Sequence, residues 1–519
     1  MVKTAKNKTS GMGRSVRINL FARQSDLSKV QAYQVGNALK SAFPTTEVKY
    51  QFLASLGDKN QDQPLWKMPE QGVFTQDFYE YLVRGEADIV VHSWKDLPIE
   101  ERPETQISAT LSREDQRDLV LFRKDRLSPY AGSKKLKILT SSPRRSYQLA
   151  RFLPKVLPFP IDKIEWVPVR GNVQTRVKKL LDGSEDALVV AKAAIDRLLS
   201  TNEKQFEDTK IFLKQAIRKL EFMILPLSEV PTAAAQGALG IEVRRNNQSL
   251  IKMLNQINSG SDFENVKLER SLHRQRGGGC HQKYGVSVLN RTFGKIIYEV
   301  GNVDGVGEVE NRSIKWRDKV DWPIAKKEDI FPSKLEAIDS IRIQIPVDRS
   351  IIEKESAFWV AHSEAAINFD FPKEAIVWTA GTSSWERLAA RGVWVHGCAD
   401  GLGESEDPRL NCLTGGHVQF LKLTHDKSLA KSNFPQMATY SVMAPKQRLD
   451  FSGKSHFFWR SVHPFLQAIE DQPEILNGFH ACGPGHTCEV LKDFFGGTNR
   501  LRVFLSYEHW KNEILKNEE

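Results

Sequence analysis

The chain has 519 residues, 40% of them apolar and 27% charged, with a formal net charge of +10. That length predicts three or four domains at roughly 150 residues each, and the composition is that of a globular protein. It contains no apolar run of the roughly 20 residues that a membrane span needs, and its five scattered cysteines exclude a dense disulfide scaffold and point to a reducing, cytoplasmic compartment.

In chain order, residues 1–14 are basic and polar without an apolar segment, and read as a disordered tail rather than a secretory signal. Ser15–Phe21 alternates like a strand, Gln31–Leu39 is an amphipathic helix, and Glu47–Leu53 is a second strand. Phe74–Val83 is a helix, and Ala87–Val91 is a buried strand that stops at His92. The same alternation returns with strands at Lys137–Thr140, Ile164–Val169 and Ala187–Val190, and helices at Ser141–Arg151, Val173–Leu181 and through Leu198. Leu239–Val243 reads as a strand crossing back into the first sheet. Asn255–Arg276 is helical, Gln282–Val309 alternates like antiparallel strands, and Trp316–Ala337, charged and proline-containing, reads as a linker. A further α/β region begins at Ile341.

The charge is concentrated. Lys134–Arg218 holds 18 Lys and Arg against 9 Asp and Glu, nearly all of the excess. A localised excess implies an anionic partner. Polar clusters sit at three strand ends: His92–Asp96; Thr140–Ser142 followed by Arg144 and Arg145; and Arg170–Asn172 followed by Thr175 and Arg176. Hydroxyls, backbone N–H groups and guanidiniums at helix N-termini suit carboxylates; the alternative is surface pairing with acidic neighbours. Asp96 is an acid among cations, read either as a group that holds N–H protons or stabilises a developing cation, or as a helix cap. Cys280 closes the run Gly277–Gly279. Such a thiol is a candidate nucleophile or attachment point, with a buried small hydrophobe as the alternative.

The stretch Val91-His92-Ser93-Trp94-Lys95-Asp96-Leu97-Pro98 resembles the cleft motif of the porphobilinogen deaminase family, whose members are also called hydroxymethylbilane synthases. Phe21–Ser25 precedes it. Thr140–Arg145, Arg170–Arg176, Gln236–Glu242, Glu269-Arg270 and Gly278–Cys280 follow in the family's order. The resemblance implies an α/β fold with two lobes of the periplasmic-binding-protein type (15–112 with 225–250, and 113–224). It also implies a small α/β domain carrying the cysteine (251–315), then the linker (316–340) and an additional α/β domain (341–519).

It further implies a dipyrromethane cofactor joined by a thioether to Cys280, onto which four porphobilinogen molecules condense with loss of ammonia before hydrolysis frees the linear tetrapyrrole. Asp96 is then the catalytic group, holding pyrrole N–H groups and stabilising the cation left when ammonia departs. Lys95, Ser142, Arg144, Arg145, Arg170, Gly171 and Asn172 are implied cofactor contacts. Arg23, Ser25, Gln31, Lys67, Arg176 and Arg197 are implied substrate contacts. No metal is expected. The partner is a small acidic pyrrole rather than nucleic acid or membrane, and the chain is expected to be a monomer. The departures are Asp26 for a proline, Gln71 for a loop lysine, Leu139 and Ala235 for glycines, and Pro143 for an apolar residue.

Rival readings are a non-catalytic two-lobed binder of acidic ligands and a nucleic-acid binder; the second lacks aromatic residues interleaved with the basic ones. About 190 residues follow the third domain. Gly381–Ser384 with the helix Trp385–Ala390, then Val393–Gly401, resemble part of uroporphyrinogen-III synthase, although the extension is short for both lobes of that enzyme. Phe479–Cys488 holds two Cys and two His, with a spacing of no common zinc module; it reads as a loop between a strand and a helix at Glu489.

Overall fold

A computed structural model describes residues 16–54, 75–127, 134–278, 282–318, 321–334, 341–427, 432–443 and 449–515. Near-continuous apolar runs form its central strands, because helices cover both sheet faces. The first sheet contains β1 (Arg17–Arg23), β2 (Glu47–Leu53), β3 (Ile89–Ser93) and β4 (Thr105–Ala109), with β10 (Leu239–Arg244) between β3 and β4. β1 runs parallel to β2 and β3, and β10 runs antiparallel to both of its neighbours.

The second sheet contains β5 (Asp118–Arg123), β6 (Lys134–Leu139), β7 (Ile161–Val167), β8 (Ala187–Ala191) and β9 (Leu220–Ile224), in the order β7-β6-β8-β5-β9. Its senses repeat those of the first sheet: β6 is parallel to β7 and β8, and β5 is antiparallel to β8 and β9. Each sheet thus holds one antiparallel strand laid down as the chain crosses between them. The two crossings, near 110–118 and 225–238, bring strand ends of both sheets toward one cleft.

Polar residues set the helix starts. Ser25 caps the helix Asp26–Ala42, its Oγ accepting from Ser28 N at 3.3 Å, so that helix begins five residues before the apolar periodicity becomes visible. The expected single helix over 255–276 is two helices, Gln248–Ile257 and Gly260–Gln275. The break serves the first crossing: Asn258 Oδ1 accepts from Thr110 N at 3.0 Å, and Ser259 N donates to Thr110 O at 2.8 Å. An antiparallel sheet of β11 (Lys283–Arg291), β12 (Gly294–Val303) and β13 (Gly307–Trp316) follows.

Residues read as a linker instead join a sheet. β14 (Ile330–Phe331) pairs in parallel with β21 (His456–Trp459), which continues into β22 (Phe479–Cys482) and β23 (Leu501–Val503). Ala325, Ile330 and Phe331 are buried there; the charges and prolines around them masked this apolar content. A separate six-stranded sheet, β15-β20-β19-β16-β17-β18, is built from β15 (Ile341–Gln344), β16 (Ala357–Val360), β17 (Ile376–Thr379), β18 (Gly397–Cys398), β19 (Leu421–His425) and β20 (Gln436–Met443). Among the described residues the C-terminal third therefore holds two sheets, and the chain leaves the smaller one after β14 and returns to it at β21.

This C-terminal module shares a core with the second sheet. Phe152 meets Trp385 edge-on at 5.6 Å, Phe122 meets Trp394 at 5.2 Å, and Trp385 Nε1 donates to Val156 O at 3.2 Å. Ile224 N donates to His396 O at 2.8 Å, so the edge strand β9 is met by the segment entering β18. The loop after β18 touches both crossings: Asp400 accepts from Ser228 N at 2.9 Å and from its hydroxyl, and Arg117 Nη2 donates to Pro408 O at 2.9 Å. No described helix is long and apolar enough to cross a membrane.

Candidate active-site cleft

β3 ends in a short 3-10 turn, Trp94–Asp96, that carries Lys95 and Asp96. Trp94 is buried, and its N–H donates to Ala238 O at 3.1 Å, which fixes the turn to the second crossing. Gln31, also buried, donates to Ser93 Oγ at 2.9 Å and braces the strand end. Beneath it His92 Nε2 and Glu242 Oε2 lie 2.8 Å apart, and Thr105 Oγ1 donates to Glu242 at 2.6 Å. Desolvation works against the Glu242 carboxylate, but His92, Thr105 and Arg102 more than offset it and lower its pKa.

Lys95 Nζ donates to Gln236 Oε1 at 3.2 Å. Desolvation, with Arg145 and Arg144 nearby, brings its pKa down to about 8 despite Asp96 and Asp118. Asp96 is exposed, and among the described residues its carboxylate accepts no hydrogen bond. Arg176, on the helix Val173–Asp182, has Asp96, Arg145, Arg170 and Arg23 as charge neighbours; desolvation lowers its pKa to about 10, so it stays charged at neutral pH. The Nη1 of Arg170 is buried without a partner. Arg176 thus links the orphaned donor of Arg170 and the open carboxylate of Asp96 within one charge cluster, a combination that can meet both an acid and an N–H group.

Other expected contacts are already engaged. Arg144 and Arg145 are buried against Asp118 at 2.7 and 2.6 Å, and Arg144 also reaches Gln148 Oε1 and Pro231 O. Burial alone would raise Asp118, but the two guanidiniums hold it well below the usual carboxylate range. Asp118 escaped the sequence reading, although a charged residue heading the apolar run Leu119–Phe122 was a usable signal. Ser25, Ser142 and Asn172 cap helices: Ser142 Oγ accepts from Arg145 N at 3.4 Å and Asn172 Oδ1 from Thr175 N at 2.8 Å. Gly171 has φ +112 and its carbonyl accepts from Arg176 Nε at 2.8 Å.

Arg197 is not brought to the cluster. It is buried, donating to Gly237 O at 2.8 Å and to Gln34 Oε1 at 3.2 Å, with Glu114 and Asp196 as charge neighbours. Lys67, Gln71 and Cys280 lie outside the described residues.

Glu269, fully buried, accepts both terminal nitrogens of Arg113 at 2.7 and 2.8 Å, and also Ala235 N and Val288 N at 2.8 Å each. Ala235 has φ +69, the left-handed region where glycine is at ease. In Phe479–Cys488, β22 ends at Cys482 and the helix starts at His486, three residues before the expected Glu489. Both ring nitrogens of His480 are engaged, with Trp459 Nε1 and Ile475 O, and burial lowers its pKa to about 4.

The site is a two-crossing α/β cleft in which cationic side chains stand near an exposed carboxylate, an arrangement with the chemistry to take up an acidic ligand. The family description "Porphobilinogen deaminase, dipyromethane cofactor binding domain" matches residues 18–252. Porphobilinogen deaminase of Syntrophomonas wolfei subsp. wolfei is 34% identical over 266 residues, 51% of this chain and 78% of that protein. The enzyme of Chlorobium phaeobacteroides is 33% identical over 301 residues, 58% of this chain and 88% of that one. That of Prochlorococcus marinus subsp. pastoris is 30% identical over 336 residues, 63% and 96%. The chain belongs to the porphobilinogen deaminase family.

Proposed function

We propose that this chain runs the hydroxymethylbilane synthase reaction in the cleft at Asp96, on a dipyrromethane held by a thioether to Cys280. In each condensation the aminomethyl carbon of porphobilinogen loses ammonia and bonds to the free α-carbon of the terminal pyrrole, whose α-proton is released. A dipyrromethane held on Cys280 would supply the pyrrole terminus that accepts the first substrate.

The residues fit such a group. Arg170, with its unpartnered Nη1, is the observation that carries the reading; Arg23, Arg176 and Lys95 complete a cationic wall for acetate and propionate groups. Asp96 accepts pyrrole N–H groups and stabilises the cation that forms as ammonia departs. Arg144, Arg145, Ser142 and Asn172 shape this wall from behind, through Asp118 and the helix caps, while Ser25 and Gln31 support the β1 and β3 ends. The chain acts as a cytoplasmic monomer in this reading.

Intact mass of the purified protein tests it. The expected result is a mass gain equal to a dipyrromethane that disappears in Cys280→Ser, together with an Asp96→Ala protein that keeps the primer but loses turnover by at least about 100-fold. An unmodified chain, or full turnover in Asp96→Ala, overturns it.

A second reading concerns the C-terminal module. Its two sheets meet through strand-end loops, where a Cβ on Gly403 would lie 3.3 Å from Gly485 Cα. This two-sheet form supports a uroporphyrinogen-III synthase activity that takes the product of the first site. Feeding porphobilinogen and resolving the uroporphyrin isomers tests it; type I isomer alone sinks it.

A further inference from the structure

The helix Gly260–Gln275 precedes Gly277–Gly279 and Cys280 in the chain. On one face, at helical spacing, it presents Phe263, Val266, Arg270 and Arg274. That face grips the turn that carries Asp96. The Phe263 ring lies 5.2 Å from the Trp94 ring, and Val266 is buried in one cluster with Trp94 and Leu97. Arg270 Nη1 donates to Trp94 O at 3.5 Å and Leu97 O at 3.3 Å, and its Nη2 donates to Pro98 O. Arg274 Nη2 donates to Ile99 O at 2.8 Å.

Two guanidiniums thus collect four carbonyl oxygens from one six-residue stretch; Trp94 O also closes the turn by accepting from Leu97 N at 3.2 Å, so Arg270 binds the turn at the bond that defines it. Arg270 makes no contact ion pair among the described residues; Glu100 and Glu101 act on it only as charge neighbours. A guanidinium bonded to carbonyls rather than to a carboxylate fixes backbone geometry. It does not neutralise a charge.

We propose that Arg270, aided by Arg274, is a positioning residue for Asp96: it clamps the carbonyls of the Asp96 turn to the helix Gly260–Gln275 and so sets where the carboxylate stands in the cleft. The proposal rests on the role given to Asp96. Arg270→Met removes the donors while keeping the aliphatic bulk, and Arg270→Lys keeps one donor group.

The expected result for Arg270→Met is a kcat lower by roughly 10- to 100-fold, the scale of a small misplacement of a reacting group. KM for porphobilinogen stays within about threefold, since Arg23, Arg170 and Arg176 of the cationic wall stand on other elements and only Lys95 shares the clamped turn. Arg270→Lys recovers part of the loss, and intact mass still shows the primer. Arg274→Met gives a smaller loss of the same kind, and carries the test if Arg270→Met does not fold.

Unchanged kcat in Arg270→Met overturns the proposal, as does a loss confined to KM, or an Arg274→Met protein with unchanged kcat where Arg270→Met does not fold. Asp96→Ala measured in parallel separates the two readings. An active Asp96→Ala removes the role of Asp96; a dead Asp96→Ala beside a normal Arg270→Met removes only the clamp.

Discussion

Lys95 sits half-buried next to Asp96, and burial lowers its pKa to about 8. Between that value and the ordinary lysine value the unfolded chain binds more protons than the folded one. The contribution of Lys95 to stability therefore rises with pH across this window. Anion binding runs the other way, because the cation that would meet a carboxylate is lost as pH rises through about 8. We expect kcat/KM for porphobilinogen to fall above pH 8, and Lys95→Gln to flatten that alkaline limb at a lower overall level; a pH–rate profile of both proteins checks it. Ala235 shows a different residue-scale effect. Its left-handed backbone carries strain of about 1–2 kcal/mol, which explains why a glycine suits the position. Its methyl is nonetheless packed with Trp94, Leu97, Ala238 and Val266, and each such buried carbon contributes about 0.8 kcal/mol.

At the scale of elements, the helix Asp26–Ala42 of the first lobe reaches the second. Asp26 accepts from Thr209 Oγ1 at 2.7 Å and from Gln174 Nε2 at 2.8 Å. A proline here could make neither bond. Asp26→Ala should loosen the contact between the lobes, lowering stability by about 1–3 kcal/mol for two charge-assisted bonds. Faster amide exchange at the start of helices Asp26–Ala42 and Glu207–Arg218 is the expected reading, and unaltered exchange would count against the contact. The same helix shows what could be read in advance. Apolar periodicity located its body, but a serine before a helix looks the same whether it caps the helix or meets a ligand, as Ser25, Ser142 and Asn172 illustrate. The strand ends and the cationic cluster were legible because they are local in the sequence. Asp118, which ties up Arg144 and Arg145 from 26 and 27 residues away, was not. Nor was β14, a two-residue strand completed only by β21, more than 120 residues later.

Across the whole molecule, the C-terminal module belongs to the same core as the second lobe. Trp385 is fully buried against Phe152 and Val156 O. Trp385→Ala should therefore destabilise the deaminase cleft, although it lies far from it in sequence, by about 3–5 kcal/mol. Thermal unfolding followed by deaminase activity checks this; activity that survives at the wild-type midpoint would show two independent units. Removing residues 341–519 should have a larger effect, since it uncovers Phe122, Phe152 and the β9 edge together.

The loop after β18, where Asp400 meets Ser228 and Pro408 meets Arg117, gives that shared core a genetic consequence. Each crossing segment is held by the module that follows it in the chain. A damaging substitution in the C-terminal third would then surface first as a deaminase defect. Supplying the two halves as separate chains would fail to restore deaminase activity even where the first half retains all its own reactive groups.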